Sequence, residues 1–295
     1  MLQLLRRSWI LALLWIVPAC QAPLGAAREL RVASYNIRHG EGLDRRVDLE
    51  RTAAVLASFD ADVIALQEVD VGVRRSGGVD QPQELAQELE RLTARRYHAS
   101  FGEFMPHDGG RYGMAVLSRL PIHGARPVRL PDGNEPRVAL AVDVELADGT
   151  LITAICLHFD WVDDDTFRFA QAQALAAFVS ELRTPWILVG DFNDGPQSRT
   201  LALLRELGAE LEKRGPDGAP ATGHDRFTFS SDAPHKEIDY VLAGSPPDSA
   251  NFWDLSAGLH VLDEPLASDH RPLLGLLRWR PKAPAERRTQ EPGSL

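Results

Sequence analysis

The sequence predicts an α/β fold, and three observations carry that prediction. Short apolar runs of strand length alternate with segments whose apolar residues recur at helical spacing. Strand, helix and strand follow one another twice, over 30–66 and over 151–191, which is the crossover that parallel strands require. Between two further apolar runs, Ala147-Asp148-Gly149 reads as a hairpin turn. A length of about 250 residues after the leader suits one large α/β domain or two small ones. No linker-like shift in composition, repeat or low-complexity run interrupts 28–280, so one domain is expected there.

Residues 1–27 are expected to lie outside the fold. Arg6 and Arg7 give a positive start, Trp9 to Val17 an apolar centre, and Val17-Pro18-Ala19-Cys20 a small-residue boundary, which together read as an export signal. A small-residue run ending in cysteine resembles the bacterial lipobox. Cys20 is therefore expected to carry a lipid anchor, placing the protein in the periplasm or on the outer membrane; cleavage near Gly25-Ala26-Ala27 would instead leave a secreted product. The second cysteine, Cys156, sits inside an apolar run, and no disulfide is expected. Arg6 and Arg7 are the only charges before residue 28, so 30 basic residues face 42 acidic ones in the rest. That balance is a poor footprint for duplex nucleic acid, which is gripped by basic faces. A monomer is expected.

Leu30 to Asn36 alternates as a strand and runs into the polar loop Ile37 to Gly42. Asp48 to Ser58 is a helix, with Leu49, Ala53, Val55 and Leu56 at helical spacing, and Asp62 to Leu66 is the next strand, ended by Glu68. Parallel strands present their C-terminal ends on one edge, so Asn36 and Glu68 should be neighbours. Val71 to Gln81 is a charged loop. Its Arg75 is a candidate phosphate contact, although solvated surface charge is the commoner role for such an arginine. A helix through Glu84 to Leu92, a strand from Tyr112 to Arg119 stopped by Pro121, and the pair Arg137 to Leu146 and Thr150 to Leu157 follow.

His158 ends the last of these runs, with Asp160 two residues on. After a helix from Asp165 to Leu182, the strand Trp186 to Val189 stops at Gly190-Asp191-Phe192-Asn193-Asp194-Gly195-Pro196. Alternation puts Asp191 and Asn193 on one face, and the crossover brings His158 beside them. In isolation the stretch would read as a turn, since Asn, Asp and Gly are turn residues. Ser198 caps a helix from Leu201 to Leu207. The strand Lys236 to Leu242 holds an acid, Asp239, whose burial is costly unless paired. Its expected partner is Ser268-Asp269-His270-Arg271-Pro272, where a carboxylate would orient the imidazole. Leu273 to Trp279 closes the fold and 281–295 is expected to be a disordered tail.

Six polar positions thus stand at the ends of strands or inside them. No phosphate-cradling glycine loop, Gly-x-Ser-x-Gly elbow, His-Glu-x-x-His helix or cysteine zinc pair is present. Carboxylates and amides are hard oxygen donors, which suit Mg2+ or Mn2+.

The runs Tyr-Asn-Ile-Arg-His-Gly, Leu-Gln-Glu-Val-Asp, Gly-Met-Ala-Val-Leu-Ser-Arg, Leu-His-Phe-Asp, Gly-Asp-Phe-Asn-Asp, Ile-Asp-Tyr-Val-Leu and Ser-Asp-His-Arg-Pro occur in that order over 31–275. In this they resemble the endonuclease/exonuclease/phosphatase family of metal-dependent phosphoesterases. The resemblance implies a four-layer α/β sandwich, two face-packed mixed β-sheets flanked by helices. It implies that Glu68 is a metal ligand with Asn36 and Asp269 near the metal, and that Asp191 orients and deprotonates the attacking water. Asn193 and His158 would stabilise the pentavalent phosphorus centre, while Asp239 and His270 would form an acid–histidine pair bonded to the phosphate. Such a site needs a metal, a base and donors aimed at oxyanions.

The chain also departs from the family's nuclease branches. Arg38 stands where an acid commonly follows the asparagine by two residues, adding positive charge where a phosphate would enter. Tyr112 is one position out of register with a tyrosine that some nucleases use. Arg38, Arg75 and Tyr112 are the candidate substrate contacts. No basic, aromatic groove for stacked bases is evident. The expectation is an exported, Mg2+- or Mn2+-dependent phosphodiesterase acting on a lipid or another small phosphodiester. A secreted nuclease acting on DNA or RNA is the alternative. A non-catalytic surface-binding protein on the same fold would need a broken site, and no matching position is missing.

Overall fold

The computed structural model describes residues 28–282; the export signal, Cys20 and nearly all of the expected tail lie outside the described residues. The chain opens with β1 (Arg28–Asn36), α1 (Leu49–Ser58), β2 (Val63–Val71) and α2 (Gln81–Thr93). Five strands follow: β3 (His98–His107), β4 (Gly110–Ser118), β5 (Ile122–Arg129), β6 (Val138–Glu145) and β7 (Leu151–His158). Then come α3 (Thr166–Ser180), β8 (Trp186–Asp191), α4 (Arg199–Arg205), β9 (Ala209–Glu210) and β10 (Asp239–Gly244). The described chain closes with β11 (Asn251–Asp254), β12 (Leu259–Val261) and β13 (Leu273–Pro281).

These strands form two mixed sheets. The first has seven strands in the order β11-β13-β1-β2-β4-β3, with β12 also paired to β13; the second has six, in the order β5-β6-β7-β8-β10-β9. Both expected crossovers are parallel, β1 with β2 and β7 with β8. Three apolar layers account for the stacking. Val32, Val116, Leu140, Val142 and Val189 are among the buried side chains packed between the two sheets. Leu56, Leu85 and Leu89 seal α1 and α2 onto the outer face of the first sheet, and Leu175, Leu201 and Leu204 do the same for α3 and α4 on the second. The result is the four-layer α/β sandwich.

Local chemistry sets the helix starts. Asp48 and Asp80 accept hydrogen bonds from Arg51 N–H and Gln83 N–H, and Ser198 accepts from Leu201 N–H, so all three cap their helices as side-chain acceptors do. Several boundaries differ from the sequence reading. β2 does not stop at Glu68 but runs on to Val71. β10 begins at Asp239, so this acid stands at the strand's start. β13 continues to Pro281, paired with Asn251, one residue into the segment expected as tail. β3, β5, β9, β11 and β12 carry no strong apolar run; β5 alternates between half-buried and exposed residues throughout, the pattern of a strand with one side in water.

Candidate active site

Each sheet delivers its polar residues to the same edge, and the delivery depends on local backbone features. In the first sheet, Asn36 pairs in register with Gln67, so Glu68 should point away from the edge that Asn36 marks. A β-bulge changes this. The pairing of β2 with β4 shifts between Gln67 and Val69, and Glu68 takes a left-handed φ of 57°. Gln67 then turns into the core, where its amide donates to Cys156 Sγ at 3.3 Å, while Glu68 swings out to receive Asn36 Nδ2 at 3.0 Å.

In the second sheet, His158 and Asp191 are register partners, and Asp191 also pairs with Asp239 on its other side. Gly190 makes this approach possible: a Cβ there would sit 2.0 Å from the carbonyl oxygen of Leu157. β8 ends at Asp191, and Asn193 owes its position to a turn rather than to strand alternation. With φ at 50°, its N–H donates to Asp191 Oδ1 at 2.9 Å and its Nδ2 to the Phe159 carbonyl at 3.0 Å. Asp160, expected on the His158 face, is fully buried and accepts from Asn134 N–H at 2.7 Å, so it holds a loop.

The two edges meet at one cavity of about 400 Å³. Glu68, Tyr112 and Asp269 line it on one side, His158, Asp191 and Asn193 on the other, with His270 between them. Asn36 and Asp239 lie just behind. Asn36 Nδ2 also reaches Asp191 Oδ2 at 3.3 Å, so one amide spaces the two carboxylates. Asp239 Oδ2 accepts from His270 Nδ1 at 3.0 Å, and the other ring nitrogen of His270 faces Asp191 Oδ2 at 3.6 Å, as His158 Nε2 does at 3.4 Å.

Two expected residues stand apart. Arg75 does not line the cavity: its Nε and Nη2 are bonded to the buried Asp70 at 2.8 and 2.9 Å, and its guanidinium backs the Tyr112 ring. Arg38 sits outside the rim between Glu41 and Asp269, 3.6 Å from the latter. The first is a counter-ion, and the second braces Asp269.

The electrostatics separate the roles. Burial, followed by the charge of Asp239, raises the pKa of Asp191 and makes it a stronger base than an ordinary aspartate. Burial opposes charge on His270, but Asp239 and Asp191 overcome it and hold the ring as an imidazolium. Burial, then the charges of Arg137 and His270, pushes the His158 pKa well down, leaving a neutral ring. A basic carboxylate beside one charged and one neutral imidazole can activate water and donate to oxyanions. Cys156 offers no rival nucleophile, since burial pushes its thiol up to about 12.

The cluster also fits a divalent cation. Glu68 is partly open to the cavity, burial raises its pKa, and its one hydrogen bond among the described residues comes from a neutral amide. Asp269 lines the same space, with Arg38 Nε at 3.6 Å and Ser268 Oγ at 3.4 Å from its carboxylate. Two under-compensated hard-oxygen ligands are what Mg2+ or Mn2+ requires. One potential ligand atom from each of Asp191, Asp239 and His270 also lies within 4.8 Å of the others. That trio is already held together by its own hydrogen bond, which leaves Glu68 and Asp269 as the open pair.

Several site residues gave no signal in the sequence. Arg137 and Lys236 read only as the first residues of strands, and Glu135 and Trp161 carried no mark, yet all four line the cavity. Lys213 supports it from behind. Its buried Nζ donates to the Asp239 carbonyl and to Glu237 Oε1, both at 2.8 Å, over the Tyr240 ring. Spacing offered no clue to Lys213, because its partners lie 24 and 26 residues away.

Solved structures of other proteins share this fold. A solved structure described as an endonuclease/exonuclease/phosphatase from Beutenbergia cavernae is 26% identical, covering 87% of this chain and 72% of its own, with a TM-score of 0.65. A humanized D. rerio TDP2 is 18% identical over 84% of this chain and 98% of its own, at a TM-score of 0.61. The mannosyl-6-phosphatase Bt3783 of Bacteroides thetaiotaomicron is 18% identical over 85% and 99%, at 0.58. The last two likenesses are of fold alone. Residues 33–270 match the family profile that spans both crossovers and all the site residues above. The chain belongs to the endonuclease/exonuclease/phosphatase family.

Proposed function

We propose that the protein is an exported, divalent-metal-dependent phosphodiesterase that hydrolyses its substrate by in-line attack of an activated water. The observation that carries this reading is the placement of Asp191. It is a buried, basic carboxylate set between His158 and His270, in the same cavity as the open pair Glu68 and Asp269. Glu68 and Asp269 would hold Mg2+ or Mn2+, which supplies positive charge to the phosphate oxygens when bound. Asp191 would take the proton from water, and His270, kept charged by Asp239, would donate to a phosphate oxygen. Asn193 retains one amide proton for the same purpose after its bond to Phe159.

A small substrate, a lipid headgroup or another compact phosphodiester, is favoured over a nucleic acid. The cavity is of small-molecule size, about 400 Å³, and the chain carries 42 acidic against 32 basic residues. The test is hydrolysis of bis-nitrophenyl phosphate with Mg2+ and with chelator. It should be followed by sphingomyelin, phosphoinositides, glycerophosphodiesters and plasmid DNA under equal conditions. Activity lost in chelator, restored by Mg2+ and greatest on a small diester is the expected result. Chelator-resistant turnover sinks the metal assignment, and preferred cleavage of DNA the substrate class.

Export and anchoring rest on the amino-terminal pattern alone. No helix among the described residues is long and apolar enough to cross a membrane; the attachment proposed is lipidated Cys20. Fatty-acid labelling of the full chain is expected to vanish in Cys20→Ser; labelling that persists removes the anchor.

A further inference from the structure

Arg137 stands just before β6, and its side chain enters the catalytic cavity between the two sheets. It is among the largest fully buried side chains, 1% exposed. A buried guanidinium is costly unless its donors are answered, and here most are not. Nη2 donates to Glu135 Oε2 at 3.1 Å, whereas Nε and Nη1 have no hydrogen-bond partner. The Phe104 ring lies against the group, 5.2 Å from the guanidinium carbon, and fixes its plane.

Other buried or half-buried arginines in this chain behave differently. Arg75 spends two nitrogens on Asp70, and Arg168 gives Nη1 to the Asp160 and Val162 carbonyls, while its Nε, without a hydrogen bond, lies 3.1 Å from the Asp194 carboxylate. Those are the bonds of arginines that hold structure. Arg137 keeps two donors unspent beside the catalytic groups, close enough for its charge to favour the Glu68 carboxylate and the neutral His158 ring.

We propose that Arg137 binds the substrate's phosphoryl group, with Nε and Nη1 donating to its non-bridging oxygens. The proposal rests on the phosphoesterase reading and adds to its charged His270 a second protein cation for the anion, one whose charge does not titrate. Guanidinium donors match the tetrahedral oxygens of a phosphate, and this group is held in the cavity wall by Phe104 and Glu135. The organic part of the substrate is left to Trp161 and Lys236, which line both this cavity and its neighbour.

The test compares wild type, Arg137→Met and Arg137→Lys in Mg2+, using bis-nitrophenyl phosphate as substrate and inorganic phosphate as competitive inhibitor. Methionine keeps bulk against Phe104. With circular dichroism unchanged, Arg137→Met should lose about 10²- to 10³-fold in kcat/KM, the cost of removing one oxyanion donor group. Its inhibition by phosphate should weaken by about tenfold or more, as loss of one charge-assisted hydrogen bond would bring. Added guanidinium, at a concentration that leaves the wild type unaffected, should recover part of its turnover, which a merely structural role would not allow. Phosphate inhibition within about twofold of wild type overturns the proposal. If Arg137→Met does not fold, Arg137→Lys decides: weakened phosphate inhibition in a folded protein supports the role, and unchanged inhibition defeats it. Failure of both variants to fold makes Arg137 a structural cation and also defeats it. A wild type that neither turns over substrate nor binds phosphate overturns the phosphoesterase reading itself.

Discussion

Asp191→Asn is expected to lower kcat on bis-nitrophenyl phosphate by about 10²- to 10⁴-fold, the span typical of a lost general base, with little change in KM. Asparagine keeps the shape of the side chain. Its carbonyl can still accept the Asn193 N–H that Asp191 Oδ1 accepts at 2.9 Å, so the turn after β8 should hold. What disappears is basicity, which burial and the neighbouring Asp239 confer on this carboxylate. An unchanged melting temperature with turnover nearly abolished is therefore the result to look for in paired calorimetry and steady-state assays. A kcat within about tenfold of wild type would move the base to another residue.

Glu68→Gln should separate activity from stability in opposite directions. Among the described residues no cation forms an ion pair with Glu68 in the metal-free protein, and burial raises its pKa despite the charges of His270 and Arg137. A carboxyl that binds its proton more tightly when folded than unfolded supports the fold at acidic pH and loses that support as pH rises through the folded pKa. At neutral pH it is a liability that glutamine removes. The chelated variant should melt no lower than chelated wild type, and by about 2–4 °C higher for each kcal/mol recovered in a domain of this size. Mg2+ should reverse the order. Saturating metal at a hundred times Kd stabilises the wild type by about 2.7 kcal/mol, whereas the variant should gain little and show turnover reduced by at least about 10²-fold. An equal Mg2+-induced rise in melting temperature in both proteins would remove Glu68 from the metal.

Much of this site was legible because the chain repeats one device. An apolar run long enough to be a buried strand announces its own end, and a polar residue at that end has to face something. His158 and Asp191 were readable for that reason, and the crossover rule makes them neighbours. Asp239 and His270 were readable as a buried acid needing a partner. Glu68 was expected beside Asn36 and stands there, but through a one-residue bulge of which the sequence carries no mark. Asn193 misled in a similar way, because alternation and a left-handed turn give the same spacing. Arg75 and Arg137 show the limit most clearly. Both are arginines beside strands, and only the partners that tertiary packing supplies distinguish a counter-ion of Asp70 from a guanidinium with donors left over. The edge strands were lost because half-solvated backbone carries little apolar signal.

The division of the site between two sheets bears on how its precision is kept. Asn36, Glu68 and Asp269 belong to one sheet or its adjoining loop, His158, Asp191 and Asp239 to the other, and the bond from Asn36 to Asp191 spans the seam. The gap between the carboxylate proposed to activate water and the pair proposed to hold the metal is therefore gauged by the thickness of the aliphatic layer sandwiched beneath them. Valines and leucines that never touch substrate act as the shims of the catalytic centre, so their volumes are constrained by reaction geometry as well as by the cost of a void.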